Sequence, residues 1–429
     1  MILAISSSLV VWALFSRKLE SLNISAAMAF VLAGLVLASW PAAVIDIQVG
    51  GEMLRSIAEV TLALLLFSDA ARVNVGVLRQ DRRVPMRLLM LGLPLTLGLG
   101  VALAVWLFPD LNPWAAAAIA AAVAPTDAAL GAQVVEDTHV PLRIRRILNV
   151  ESGLNDGIAT PFVSFFVAGA VADTASQSSV TLGGAIADLA IGVLTGIAIG
   201  LGGGILLRYV RRLGWSSDSY RGIGVLALAL VAYSASIQFG GNGFIGAFVG
   251  GLAFGSALPS VKEQDVTLGF DAQSGGFLSL VVWFLFGAAM LPALEAVTWR
   301  TVLFVVLALT VVRMVPVAIA LVGSGLTRTT IAFVGWFGPR GLASVVFGVL
   351  AFDSLEEPDA TPVLAAVTLT VLVSVVAHGF SAAPLSRRFG RYVAGLPEDA
   401  AERQDVPGFM SRSHGDRHRP VGPGESPRH

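Results

Sequence analysis

Two carboxylates, a hydroxyl and an amide fall together in Glu151-Ser152-Gly153-Leu154-Asn155-Asp156. Carboxylate and hydroxyl oxygens hold hard cations, and a carboxylate also takes a proton, so this set suits ion or proton handling. Its setting is costly. Arg143, Arg145 and Arg146 precede it and an apolar run, 158–171, follows. At 1.5 Å per residue, a helix through both places Asp156 roughly 15 Å from the basic end, about half of a ~30 Å hydrocarbon core. Ionisable groups at that depth mark function by default.

The helical wheel sharpens the stretch. With Glu151 at the origin, Asn155, Ser152 and Asp156 fall at about 40°, 100° and 140°, one polar arc opposite Gly153, Leu154 and Gly157. That arc must face a partner or water, not lipid. Asp156 has no spare basic partner and reads as functional. Glu151 reads as structural, with Arg340 as its expected counter-ion. Asp69 caps its helix or pairs with Arg72, and Arg313, in mid-span, either pairs structurally or tunes the site. His378, among Ser and Ala, reads as a packing residue.

These residues need helices to carry them. At 55% hydrophobic, 13% charged and a mean hydropathy of +0.78, the chain is an integral membrane protein. A net charge of -1 favours no nucleic acid, and the lack of cysteine excludes disulfides and thiolate chemistry. Met1 opens no basic n-region, so the first apolar run is expected to be a span, not a cleaved leader. One transmembrane domain is expected over 1–390, with 391–429 as a cytoplasmic, disordered tail.

Thirteen apolar windows are expected to span: 2–16, 23–42, 53–71, 85–108, 113–135, 146–171, 181–207, 221–239, 242–258, 271–292, 300–323, 327–352 and 361–386. Basic residues follow the odd-numbered windows: Arg17 and Lys18; Arg72, Arg79, Arg82 and Arg83; Arg143, Arg145 and Arg146; Arg208, Arg211 and Arg212; Lys262; Arg328; Arg387, Arg388 and Arg391. The positive-inside bias then puts the N-terminus outside and the C-terminus in the cytoplasm, which an odd span count requires.

Two windows are interrupted. In the fifth, Pro125 cannot donate a helical hydrogen bond and pushes Ala124 off helical angles, while Thr126 and Asp127 suit the cap of a restarting half-helix. In the twelfth, Gly338-Pro339-Arg340-Gly341 makes a second break. Seven windows separate them, so the two cross in opposite directions. Paired breaks of this kind point to inverted-topology repeats with a midplane site. The expected fold is all-α, with two interrupted crossing helices.

Taken together, Pro125-Thr126-Asp127, Arg145-Arg146-Ile147-Leu148 leading into Glu151–Asp156, Gly338–Gly341, and Val376-Ala377-His378-Gly379-Phe380 with Pro384-Leu385 resemble the monovalent cation:proton antiporter-1 family, the NhaP/sodium–proton exchanger type. The resemblance implies an NhaA/NhaP-like fold and a homodimer among membrane lipids. It implies that Asp156 takes cation or proton in turn, and that Thr126, Asp127 and Ser152 add oxygens. Glu151 and Arg340 match the structural ion pair, Asn155 supports the broken helix, and its neutrality marks the electroneutral class. Sodium is the first choice of cargo, with lithium and potassium as alternatives, and no cofactor is implied. The chain departs from the pattern where Phe67-Ser68-Asp69-Ala70 replaces Phe-Glu-Gly-Gly, which displaces the acid at Asp69. It departs again where Ala128 follows Thr126-Asp127 in place of proline, and where Pro339 precedes Arg340 in place of leucine.

Rival classes are separable. A channel needs a repeated pore loop or charged ring, and neither is present. A hydrolase needs Ser152 in an activating context that the sequence lacks. A sodium-coupled organic-solute symporter of similar fold is the alternative reading.

Overall fold

The computed structural model describes residues 1–39, 51–73, 83–174, 182–258 and 261–404. Within these the chain is helical, with helical segments on all thirteen expected spans. They are α1 (Ile2–Ser21), α2 (Ala26–Ser39), α3 (Glu52–Arg72), α4 (Arg83–Leu107), α5 (Pro113–Val135), α6 (Leu142–Thr174), α7 (Leu182–Arg212), α8 (Asp218–Gln238), α9 (Gly243–Ala257), α10 (Val261–Ala289), α11 (Trp299–Ala320), α12 (a first half Arg328–Trp336, a second Leu342–Ser354) and α13 (Ala360–Ala394). Eight of the described helices are long and apolar enough to cross a membrane. Arg79, Arg82, residues 40–42 and residues 405–429 of the sequence reading lie outside the described residues.

The helices sort into two groups. In the first, α7 and α3 flank α9, α2 packs on α10, and α8 and α1 complete the layer. Without a hydrophobic drive between helices in lipid, close backbone approach through small residues holds such layers together. A Cβ at Gly200 would fall 2.0 Å from the Gly250 carbonyl oxygen, and one at Gly251 would fall 2.2 Å from that of Phe67. The second group is two triplets, α4–α6 and α11–α13, each with a broken middle member.

Those middle members run antiparallel. At the start of α5, the Asn112 N–H donates to Asp359 just before α13 (3.1 Å), and Asn112 Nδ2 donates to Asp173 at the end of α6 (2.9 Å). At the opposite end, where α12 begins, the Thr327 N–H donates to Glu402 Oε1 (2.8 Å). An apolar cluster of Val84, Leu88, Ile144, Phe333 and Phe389 ties α4, α6, α12 and α13 together there.

Several elements differ from the sequence reading. α13 runs on past 386 to Ala394, because Arg387, Arg388 and Arg391 can stay helical while their charged heads reach water. The expected domain boundary at 390 therefore falls inside a helix. Beyond it, Ala401–Arg403 forms a single turn, and Arg143 Nη1 donates to the Ala401 carbonyl at 2.5 Å. α4 contains a π turn at Leu88–Gly92, just before Pro94. α11 breaks at Thr310 (φ -113°, ψ -84°), with Pro316 in its second half.

Candidate functional site

The two interruptions meet. The first half of α5 ends at Val123 and the second starts at Ala128, while α12 stops at Trp336 and restarts at Leu342. Each break leaves orphan N–H and C=O groups inside the helical body, where each needs a partner. The Asp127 N–H donates to the Pro339 carbonyl at 2.7 Å, which binds one break to the other. The Asp127 carboxylate then caps both restarting halves. Its Oδ1 accepts the Leu130 N–H (2.9 Å) and its Oδ2 the Leu342 N–H (2.8 Å), so one negative charge sits at two helix N-termini.

Arg340 serves the opposite pole. Its guanidinium donates to the Ala124 and Pro125 carbonyls, at 2.8 and 3.0 Å, where the first half of α5 ends. A cation at a helix C-terminus is the favoured sign. The glycines are needed for this contact. A Cβ at Gly341 would lie 2.1 Å from Asp127 Oδ2, and one at Gly338 would lie 2.5 Å from Arg313 Nε.

Glu151 is where the sequence reading needs correction. Its expected counter-ion was Arg340, but Oε1 pairs instead with Arg313 Nη1 at 2.5 Å, both side chains about 5% exposed or less. Arg340 is committed to the orphan carbonyls that Pro125 creates. Arg313 begins the turn after the Thr310 break and projects from α11 onto α6. Arg340 still lies within electrostatic reach of Arg313, Glu151 and Asp156, so the four form one charge cluster. Only Pro316, three residues beyond Arg313, hinted at the α11 break.

The remaining polar residues of α6 gather on the α5 break. Asn155 Nδ2 donates to Thr126 Oγ1 at 2.5 Å, and with that acceptor used, Thr126 can donate to Ser152 Oγ at 3.0 Å. Asp156 stands beside them, with Asp127 and Arg340 as the charges acting on it. Its Oδ1 is buried with no hydrogen-bond partner in the protein, as are Asn155 Oδ1 and Glu151 Oε2. Asp69 is buried on α3, in the other helix group, between Phe67 and Ala71 on which α9 packs.

Cavities approach from both ends. One of about 490 Å³ is lined by Glu20 and Asn23 of the first group and by Gln133 and Glu136 of the second. The other, about 550 Å³, opens at the opposite end among Arg55, Glu59, Ser164 and Phe347. Across that mouth Arg55 bonds Asp353 and Glu59, and Glu59 also accepts from Tyr233 at 2.9 Å. The arrangement is a polar centre between two water-accessible vestibules, with an unpartnered carboxylate oxygen at its middle.

A family model described as "Sodium/hydrogen exchanger, transmembrane" matches residues 4–388. A protein of Schizosaccharomyces pombe named Na(+)/H(+) antiporter is 27% identical over 314 residues, covering 64% of this chain and 65% of its own. One of Shewanella baltica named K(+)/H(+) antiporter NhaP2 is 29% identical over 201 residues, 47% of this chain and 34% of its own. The chain thus matches about two thirds of the length of the first relative and a third of the second. The structure of the sodium proton antiporter MjNhaP1 from Methanocaldococcus jannaschii superposes with a TM-score of 0.77 at 18% identity, over 92% of this chain and 99% of that one. The two share a fold.

Proposed function

Because the chain belongs to the sodium/hydrogen exchanger transmembrane family, we propose that it exchanges a monovalent cation for a proton across the cell membrane, one for one. The observation that carries this reading is the buried, unpartnered Asp156 Oδ1 beside Ser152, Thr126 and the Asp127 charge. Burial disfavours a bare carboxylate, and either a proton or a cation relieves it. Asp156 therefore crosses protonated or cation-loaded but not empty, and that exclusion couples the two flows.

Roles follow from position. Asp156 is the shared binding group, and the hydroxyls of Ser152 and Thr126 with nearby carbonyls complete an oxygen shell suited to a hard cation. Asp127 supplies charge to that shell while its oxygens cap the half-helices. Asn155 holds Thr126 in the break and adds no charge, which favours an electroneutral cycle. Glu151 with Arg313, and Arg340 with the α5 carbonyls, are struts. Sodium is the proposed cargo, with lithium and potassium as competitors for the same oxygens. By loop charge the N-terminus and the Arg55 vestibule face outward, and the Glu136 vestibule faces the cytoplasm. The working form is a homodimer, serving pH homeostasis.

The test is a pH-dye assay in proteoliposomes holding a preset pH gradient. Sodium, lithium and potassium chlorides are added in turn. The reading expects at least sodium to discharge the gradient at millimolar concentration or below; silence to all three overturns it.

A further inference from the structure

α13 presents Ser374, His378 and Ser381 at a spacing that stacks them on one helix face. All three meet the α12 break. The Arg340 N–H donates to Ser374 Oγ at 2.6 Å. His378 Nε2 lies 2.8 Å from the Trp336 carbonyl, the last of the first half of α12, which also accepts the Gly338 N–H at 2.8 Å. Trp336 is gripped further. Its indole stacks on the His378 ring (centroids 5.1 Å apart, 26° between planes) and its Nε1 donates to Ser381 Oγ at 2.9 Å.

The ring's tautomer decides what it clamps. Nδ1 lies 2.8 Å from the Ser374 carbonyl and 3.2 Å from Ser374 Oγ, while Nε2 lies 2.8 Å from the Trp336 carbonyl, so a neutral ring donates to one carbonyl only. With that proton on Nε2, Nδ1 accepts from the Ser374 hydroxyl, and a continuous chain runs from Arg340 N–H to Ser374 Oγ, Ser374 O–H to His378, and His378 Nε2–H to Trp336 O. In the doubly protonated ring Nδ1–H turns to the Ser374 carbonyl and the clasp on Trp336 is unchanged.

This chain spans the break from Trp336 to Arg340, in which the Phe337 N–H makes the last helical hydrogen bond, to the Phe333 carbonyl at 3.0 Å. Arg340 is also the residue whose guanidinium closes the first half of α5, next to Thr126 and Asp127. We propose that Ser374 and His378 are positioning residues for cation binding: they clamp the α12 break so that Arg340 holds the α5 break, and with it the Thr126 and Ser152 oxygens, at binding geometry. The proposal rests on the site reading above, since it assigns the clamp to the affinity of that site. Neither residue touches the cation, and neither alters the exclusion at Asp156. Loosening the clamp therefore weakens binding and leaves maximal turnover nearly intact.

The experiment compares wild type, His378→Ala, Ser374→Ala, His378→Gln and Asp156→Asn in proteoliposomes, reading the sodium dependence of proton flux. His378→Ala and Ser374→Ala raise the sodium KM about tenfold, as expected for the loss of one buried hydrogen bond. Their maximal rate stays within about twofold of wild type. His378→Gln, whose amide still donates to Trp336, stays closer to wild type than His378→Ala. Ser374→Ala removes a single oxygen and decides the matter where His378→Ala fails to fold. An unchanged KM, or a fall in maximal rate at constant KM, overturns the clamp. Flux retained by Asp156→Asn overturns the site reading instead, so the two failures are distinct.

Discussion

The Asp127 carboxylate reaches past its own helix to cap another, its Oδ2 accepting the Leu342 N–H at 2.8 Å while Oδ1 caps Leu130 at 2.9 Å. The two breaks are thus one structural unit. Asp127→Asn keeps one acceptor but turns an NH₂ toward the other N–H, which leaves a buried donor unsatisfied. A loss of about 1–3 kcal/mol is expected, read as a lower melting temperature in detergent. An unchanged melting temperature would show that the carboxylate does not bridge the halves.

Glu151 and Arg313 form a buried pair at 2.5 Å. Removing one partner strands the other's charge, at a cost of roughly 3–5 kcal/mol, whereas removing both with apolar groups of similar size is milder. Glu151→Gln and Arg313→Met should each lower thermal stability, and the double variant should lose less than the sum. Strict additivity in that cycle would break the pairing.

Glu402, after the last long helix, is buried and accepts the Thr327 N–H at 2.8 Å and the Thr330 hydroxyl at 2.7 Å. Burial acts to raise its carboxyl, but these hydrogen bonds together outweigh it and leave it below the ordinary carboxylate value. A group depressed in the folded state stabilises above its unfolded pKa, and that contribution is lost as pH falls through the folded value. Glu402→Gln should therefore lower stability by about 1 kcal/mol near pH 7. The gap from wild type should begin to close as pH falls below about 4.3 and narrow further through the lowered folded value. A gap independent of pH would mean that the carboxylate charge is not what anchors this turn to α12.

In the proposed electroneutral cycle, with Asn155 neutral beside Asp156, one cation is exchanged for one proton. Exchange in vesicles should not change rate when a potassium–valinomycin potential of either sign is imposed. A rate that follows the potential would require a second charge to move.

What the sequence disclosed and what it hid follow from the range of the interactions. The breaks at Pro125–Asp127 and Gly338–Gly341 were legible to within a residue, because proline, glycine and a capping Asp act within a turn of themselves. Ala124, expected to leave helical angles before Pro125, keeps them (φ -71°, ψ -41°), and the second break opens one residue earlier, at Phe337. The polar arc of α6 was legible because helical periodicity alone puts Ser152, Asn155 and Asp156 together. The partner of Glu151 was not. Two buried arginines were available, and the choice depended on the α11 break at Thr310 and on Arg340 being claimed by carbonyls from another helix. The same holds for His378, whose neighbours along the chain are bland and whose partners lie across a helix interface. The end of α13 was misjudged because hydropathy stops at Arg387 while the helix continues to Ala394.

The most direct test replaces Asp156 with Asn, which keeps shape and polarity but can neither bind a proton nor balance a cation. Proteoliposomes carrying Asp156→Asn should show no cation-dependent proton flux, while the purified variant elutes and melts like wild type. Cation-driven proton movement above the protein-free background in that variant would contradict the assignment of Asp156 as the shared site.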